Sequence, residues 1–233
     1  MSPDKKLYER LKLHADEYHP VVLFKANKER LIPMDFTEAN VKLKSFDLTD
    51  TELFSSYINE ELEREKATFG IGGYNENRTV YQRSSIFSGT EPRTVHLGTD
   101  IWGKAETKVY APLGGMIHSL GLNNNFGDYG ATIILLHQLD GIPFYTLYGH
   151  LSLQDIYNHQ EGKYISRGEL IGHFGKPEEN GYWPPHLHFQ IINHIGEYKG
   201  DYPGVCKLSE RHKYLDNCPD PDLILCMNQY ISN

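Results

Sequence analysis

The sequence predicts a mainly β fold of antiparallel strands, preceded by a helical N-terminal region. Three observations carry this reading. From about residue 79 the chain breaks into short segments rich in β-branched and aromatic residues, among them "TKVYAPL", "ATIILLHQ", "PFYTLYGHL" and "HLHFQIINH". Gly and Asp-Gly turns, such as Asp140–Gly141 and Gly114–Gly115, separate these segments. Ahead of them, two stretches place apolar residues at helical spacing.

The first of those stretches, residues 4 to 18, carries Leu7 and Leu11 among charges and predicts an amphipathic helix. "PVVLF" and "LIPMDF" follow as short strands. "TDTELFSSYINEELEREKA" predicts a second helix, with Thr49 three residues before Glu52 in a capping-box pattern. Its Phe54, Ile58 and Leu62 recur every fourth residue, as a core-packing stripe does. Beyond residue 79, "GMIHSLGL" and "KYISRGELIGHFG" join the strands already quoted. The expected organisation is a helical region over 1–78, a β domain over 79–198 and a C-terminal extension over 199–233. No linker or repeat divides the chain further.

Composition narrows the function. The chain has 233 residues, 39% hydrophobic and 23% charged, with a net charge of −8, so it reads as an ordinary folded protein. No basic stripe is present to release counterions from nucleic acid, and no apolar run approaches a membrane span. Neither nucleic acid nor a membrane is therefore an expected partner. The N-terminal residues lack the apolar core and cleavage site of a signal peptide, which predicts a cytoplasmic protein if the chain is full length and permits export if it is trimmed. Cys206, Cys218 and Cys226 are odd in number and widely spaced, so they read as core or surface thiols.

The chemistry concentrates in three short segments. In "PPHLHFQI", alternate residues of a strand share a face, so His186 and His188 point together while Leu187 and Phe189 point away. Such a pair could be metal ligands, an acid/base pair or half-exposed residues. "HLGTD" sets His96 and Asp100 four apart around Gly98, whose freedom suits a tight turn. "YGHL" adds His150. Zinc takes imidazole nitrogen and carboxylate oxygen, and a catalytic site uses three protein ligands with one open position. Five candidates leave two over, which suits acid/base work. His137 and His118 lie in strand-like runs without a motif and read as structural. Tyr145 and Tyr148 precede His150 at strand spacing; packing is their first reading, and a phenol near the site could bind an oxyanion.

"HLGTD", "YGHL" and "PHLHF", in that order, resemble the motifs of the lysostaphin-type (LytM-like) zinc metallopeptidases, which cut glycine-containing and related cross-bridges of bacterial peptidoglycan. The resemblance covers about residues 90 to 195. It implies an antiparallel β-sheet metallopeptidase core with a duplicated hybrid motif and one Zn2+ cofactor. By the same resemblance His96, Asp100 and His188 hold the zinc, while His150 and His186 flank the activated water and the scissile carbonyl. No HExxH glutamate occurs, so a histidine must handle the proton.

Two departures from that family bear on the substrate. "ENGYWPPHLHF" replaces the usual small-residue approach, so Tyr182 and Trp183 are expected to crowd the groove edge. "GGYNENRTVYQR" brings Arg78, Tyr81 and Arg83, which could reach the cleft and bind an anionic group. Trp183, Tyr148 and Arg78 are the expected substrate contacts. Three functions follow as expectations: a metalloendopeptidase acting on peptidoglycan-type or glycine-containing peptides, a cytoplasmic zinc hydrolase acting on a small amine or amide, and a non-enzymatic scaffold. The presence of all five site residues disfavours the last.

Overall fold

The computed structural model describes residues 3–231. Among the described residues twelve strands form: β1 (Leu31–Met34), β2 (Phe69–Gly72), β3 (Arg93–His96), β4 (Thr99–Trp102), β5 (Lys108–Tyr110), β6 (Gly115–Asn123), β7 (Gly130–Leu139), β8 (Ile142–Leu151), β9 (Tyr164–Ile165), β10 (Leu170–His173), β11 (His186–Ile192) and β12 (Val205–Lys207). Eight of them make one sheet in the order β1-β2-β4-β11-β8-β7-β6-β9. Every neighbouring pair in it is antiparallel except β1 with β2. Two small antiparallel pairs, β5 with β10 and β3 with β12, stand beside it. Among the described residues no helix is long and apolar enough to cross a membrane.

Side-chain alternation decides the layers. Leu187, Phe189 and Ile191 of β11 pack into the main core with Tyr148, Ile133 and Phe144 of the adjacent strands. Helix α1 (Pro3–Leu13) closes that core with Leu7 and Leu11. On the opposite face of β11 stand His186, His188 and Gln190, all buried. Helix α2 (Thr51–Arg64) covers part of this second face: Phe54, Ile58 and Leu62 pack in a cluster that includes Trp102 and Trp183. Burying an apolar side chain of this size contributes about 1.5–3 kcal/mol, so the helix stripe anchors the wall behind the histidines.

The Asp140–Gly141 turn forms as a two-residue hairpin joining β7 to β8, with both residues at positive φ. Several elements differ from the sequence expectation. "PVVLF" is not a strand: Pro20 has no N–H to give, and the segment makes isolated contacts, such as the Tyr110 N–H to the Val21 carbonyl, in place of a ladder. The first helix ends at Leu13, followed by a single 3-10 turn over Ala15–Glu17. Asp50, not Thr49, caps α2, because its carboxylate accepts from the Glu52 and Leu53 N–H groups while the Thr49 hydroxyl bonds to Asp47. Gly115 opens β6 and does not turn. Strand β1 forms within "LIPMDF" as expected, whereas β2 was not foreseen; together they complete the sheet next to β4. Cys206 and Cys218 are buried free thiols.

Candidate metal centre and active site

Three elements bring three donors together. Asp100 on β4 and His188 on β11 are directly paired across the ladder, so they share a face at the same level. His96 arrives from β3 through a turn at Leu97–Gly98, where a Cβ on Gly98 would lie 2.5 Å from the His188 ring. Only glycine lets the turn pass beneath that imidazole. His96 Nε2 lies 3.2 Å and His188 Nδ1 3.1 Å from Asp100 Oδ1, and the two nitrogens are 3.0 Å apart. This is the one cluster among the described residues whose histidine, cysteine or carboxylate donors all lie within 4.8 Å of one another.

Hydrogen bonds on the far side of each ring fix the tautomers. His96 Nδ1 donates to the Gly73 carbonyl at 2.9 Å, leaving Nε2 as the lone-pair nitrogen. The Gln190 amide nitrogen donates to the Pro203 carbonyl, so its oxygen accepts from His188 Nε2 at 2.9 Å and leaves Nδ1 unprotonated. Burial depresses the His96 imidazole to about 4, which keeps it neutral. Burial also works to raise the Asp100 carboxyl, yet neighbouring His96 and the Arg78 guanidinium outweigh it and hold it well below the usual range. With both rings in these tautomers, three lone-pair atoms face one another. That arrangement is repulsive alone and favourable around a cation. Donors 2.0–2.1 Å from a tetrahedral ion lie about 3.3 Å apart, close to the observed edges. The set fits a tetrahedral divalent metal with one position left open.

His150 and His186 stand beside this cluster, their ring centroids 4.1 Å apart. His186 donates from Nδ1 to the Pro184 carbonyl and stacks on Trp102 at 3.9 Å, while His150 donates from Nδ1 to the Asn180 carbonyl. Each therefore keeps one free lone-pair nitrogen. Burial lowers both, His186 to about 4. His150 has φ +61, the left-handed region, at a bulge where β7 and β8 lose register.

That bulge corrects the expectation for Tyr148. Regular alternation would put Tyr148 and His150 on one face, but the left-handed residue re-aims His150 toward the metal cluster. Tyr148 is left fully buried in the opposite core, 3.0 Å from the Thr146 hydroxyl, and does not line the cavity. Arg78 lies in the cavity wall, and it donates to Asp100, Glu76, Gly73 and Tyr81. Arg83 stays out of the cleft: it stacks on Trp183 at 4.5 Å and on Phe126 at 4.8 Å, and bonds the Tyr182 carbonyl. Tyr182 faces outward, 44% exposed, whereas Trp183 lines the site.

The sequence reading missed Gln190 and Tyr129. Gln190 was recoverable, since it follows His188 by two on the same strand face. Tyr129 was not, because its hydroxyl, 3.4 Å from His188 Nε2, arrives by long-range pairing. A cavity of about 160 Å³ opens onto Asp100, His150, His186 and His188. Phe87, Val205 and Trp183 make its apolar wall, and Arg93, Asp128 and Asp201 contribute charge.

Residues 94–200 match the family model described as peptidase family M23. No curated protein matches the chain. Among solved structures, the catalytic domain of lysostaphin from Staphylococcus simulans is 25% identical, covering 68% of this chain and 97% of its own, with a TM-score of 0.41. Full lysostaphin is 30% identical over 59% of this chain and 45% of its own, at a TM-score of 0.40. A zinc-containing peptidase from Vibrio cholerae is 21% identical over 54% of this chain and 32% of its own, at 0.36. The chain thus spans less than half the length of the last two. His96, Asp100, His150, His186 and His188 all lie inside the segment that resembles peptidase family M23.

Proposed function

We propose that the protein is a zinc-dependent metallopeptidase that hydrolyses peptide bonds in short, glycine-containing or peptidoglycan-type peptides. The observation that carries this is the triangle of donor atoms on His96, Asp100 and His188, each side 3.0–3.2 Å long. His96 Nε2, His188 Nδ1 and Asp100 Oδ1 would hold the ion. Zinc bound there supplies Lewis-acid polarisation of a carbonyl and activation of water.

The chain's own residues supply the rest. His150 and His186 offer two lone-pair nitrogens beside the donors, placed to take a proton from the attacking water and deliver it to the leaving amine. Water adds to the carbonyl carbon, the C–N bond breaks, and the amine leaves with that proton. Trp102, stacked on His186, fixes its ring plane. Tyr129 and Trp183 line the cavity, limiting bulk water around the reacting groups.

A second reading, hydrolysis of a small amide, is favoured by the modest cavity and its charged Arg93, Asp128 and Asp201. The test is amine release by the zinc-loaded protein from pentaglycine, from purified sacculi and from a panel of small charged amides. Turnover of pentaglycine, abolished in His186→Ala, supports the peptidase. Turnover confined to small amides replaces it with the second reading. No release from any substrate by protein carrying one equivalent of zinc overturns both.

A further inference from the structure

Arg78 lies outside the family-matched segment, in the turn region that follows β2, yet it reaches the centre of the site. Its side chain is 1% exposed. Nε donates to Glu76 at 2.7 Å, one terminal nitrogen donates to Asp100 Oδ2 at 2.5 Å, and the other donates to the Gly73 carbonyl at 3.2 Å. The guanidinium also sits 5.2 Å from the centre of the Phe36 ring. Gly72 makes room for it: a Cβ there would stand 2.8 Å from the Arg78 nitrogen.

The two oxygens of Asp100 therefore have separate duties. Oδ1 faces His96 and His188, and Oδ2 faces Arg78. A carboxylate with one oxygen tied in this way offers the metal only the other, which favours four-coordination over a chelating, five-coordinate mode. The Gly73 carbonyl adds a second link, since it accepts from both Arg78 and His96 Nδ1. One guanidinium thereby braces the carboxylate directly and an imidazole through a shared acceptor.

We propose that Arg78 is a positioning residue for the metal centre: it holds Asp100 as a one-oxygen ligand and steadies the His96 tautomer through Gly73. This rests on the metallopeptidase reading above. The lysine in Arg78→Lys keeps the positive charge but cannot span Asp100, Glu76 and Gly73 together.

The test uses the full chain loaded with zinc and, separately, with cobalt(II). Metal affinity is read by chelator competition, coordination number by zinc X-ray absorption and cobalt absorption intensity, and folding by circular dichroism of the metal-free protein. Arg78→Lys is expected to bind metal roughly 10–100-fold more weakly, the usual cost of losing such support. Its absorption should also shift toward five-coordination with the metal-free fold intact. Arg78→Gln is read alongside, and either folded variant decides. Unchanged affinity and coordination in a folded variant overturn the positioning role and leave the peptidase reading standing. A parent chain that binds no metal, or binds it without Asp100, overturns both.

Discussion

His188 stands directly opposite Asp100 across the β4–β11 ladder, with its Nδ1 3.1 Å from the Asp100 Oδ1. Two of the three donors are thus set by strand register inside a buried sheet, and only His96 depends on a turn. A register-set pair costs little to preorganise, because the ladder that forms it is part of the fold.

One equivalent of zinc per chain is the expected outcome of metal analysis after dialysis. His96→Ala, Asp100→Ala and His188→Ala should each lose most of it. Full retention by Asp100→Ala would show that the ion sits elsewhere.

His150→Ala and His186→Ala should retain the metal and lose at least about a hundredfold in activity, the scale of a missing general acid or base. Both rings already satisfy one nitrogen on a backbone carbonyl, so each offers the reaction a single nitrogen. Metal loss in both variants would exchange their roles with those of the assigned donors.

Gln190→Met removes the acceptor that fixes the His188 tautomer while keeping the side chain's length. Chelator competition should show metal affinity reduced roughly 10–100-fold. Unaltered affinity would mean that Tyr129, 3.4 Å from the same nitrogen, suffices to orient the ring.

His137 gives a pH dependence away from the metal. Burial lowers it from 6.5 to about 4, with Nδ1 donating to the Gly114 carbonyl. Above pH 6.5 the ring is neutral in both folded and unfolded chains. Below that the unfolded chain takes the proton first, so stability falls between about pH 6.5 and 4, by on the order of 3 kcal/mol at most. Urea unfolding of His137→Gln should show a shallower acid loss than the parent, and parallel pH profiles would exclude this histidine as a cause.

Asp50→Ala should destabilise the fold by about 1 kcal/mol through loss of the α2 cap, whereas Thr49→Ala should cost less than about 0.5 kcal/mol. Thermal unfolding of the two variants separates them. Equal losses would mean that the turn before α2, not its cap, holds the helix.

The convergence of His96, Asp100, His150, His186 and His188 was legible through the resemblance of their three motifs to a known family, while strand alternation alone placed His186 and His188 on one face. Phe54, Ile58 and Leu62 were legible as a buried stripe from their helical spacing. Tyr148 was misplaced because alternation fails where a residue turns left-handed, and no residue type marks His150 for that conformation. Arg78 was read as pointing at substrate because its position in a polar segment says nothing of what lies across the sheet. Its destination follows from β2 pairing with β4, a contact between distant parts of the chain.

The pairing of β2 with β4 has a consequence for anyone seeking a minimal domain. A fragment cut to residues 94–200 would keep the five site residues but lose β1, β2 and the Gly73 carbonyl. It would also lose the β3 partner strand, since β12 begins at Val205. Strand β4 would then present a bare row of backbone donors and acceptors, the template on which separate molecules join edge to edge. Shortening this protein to its recognisable half would therefore favour self-association over a smaller enzyme.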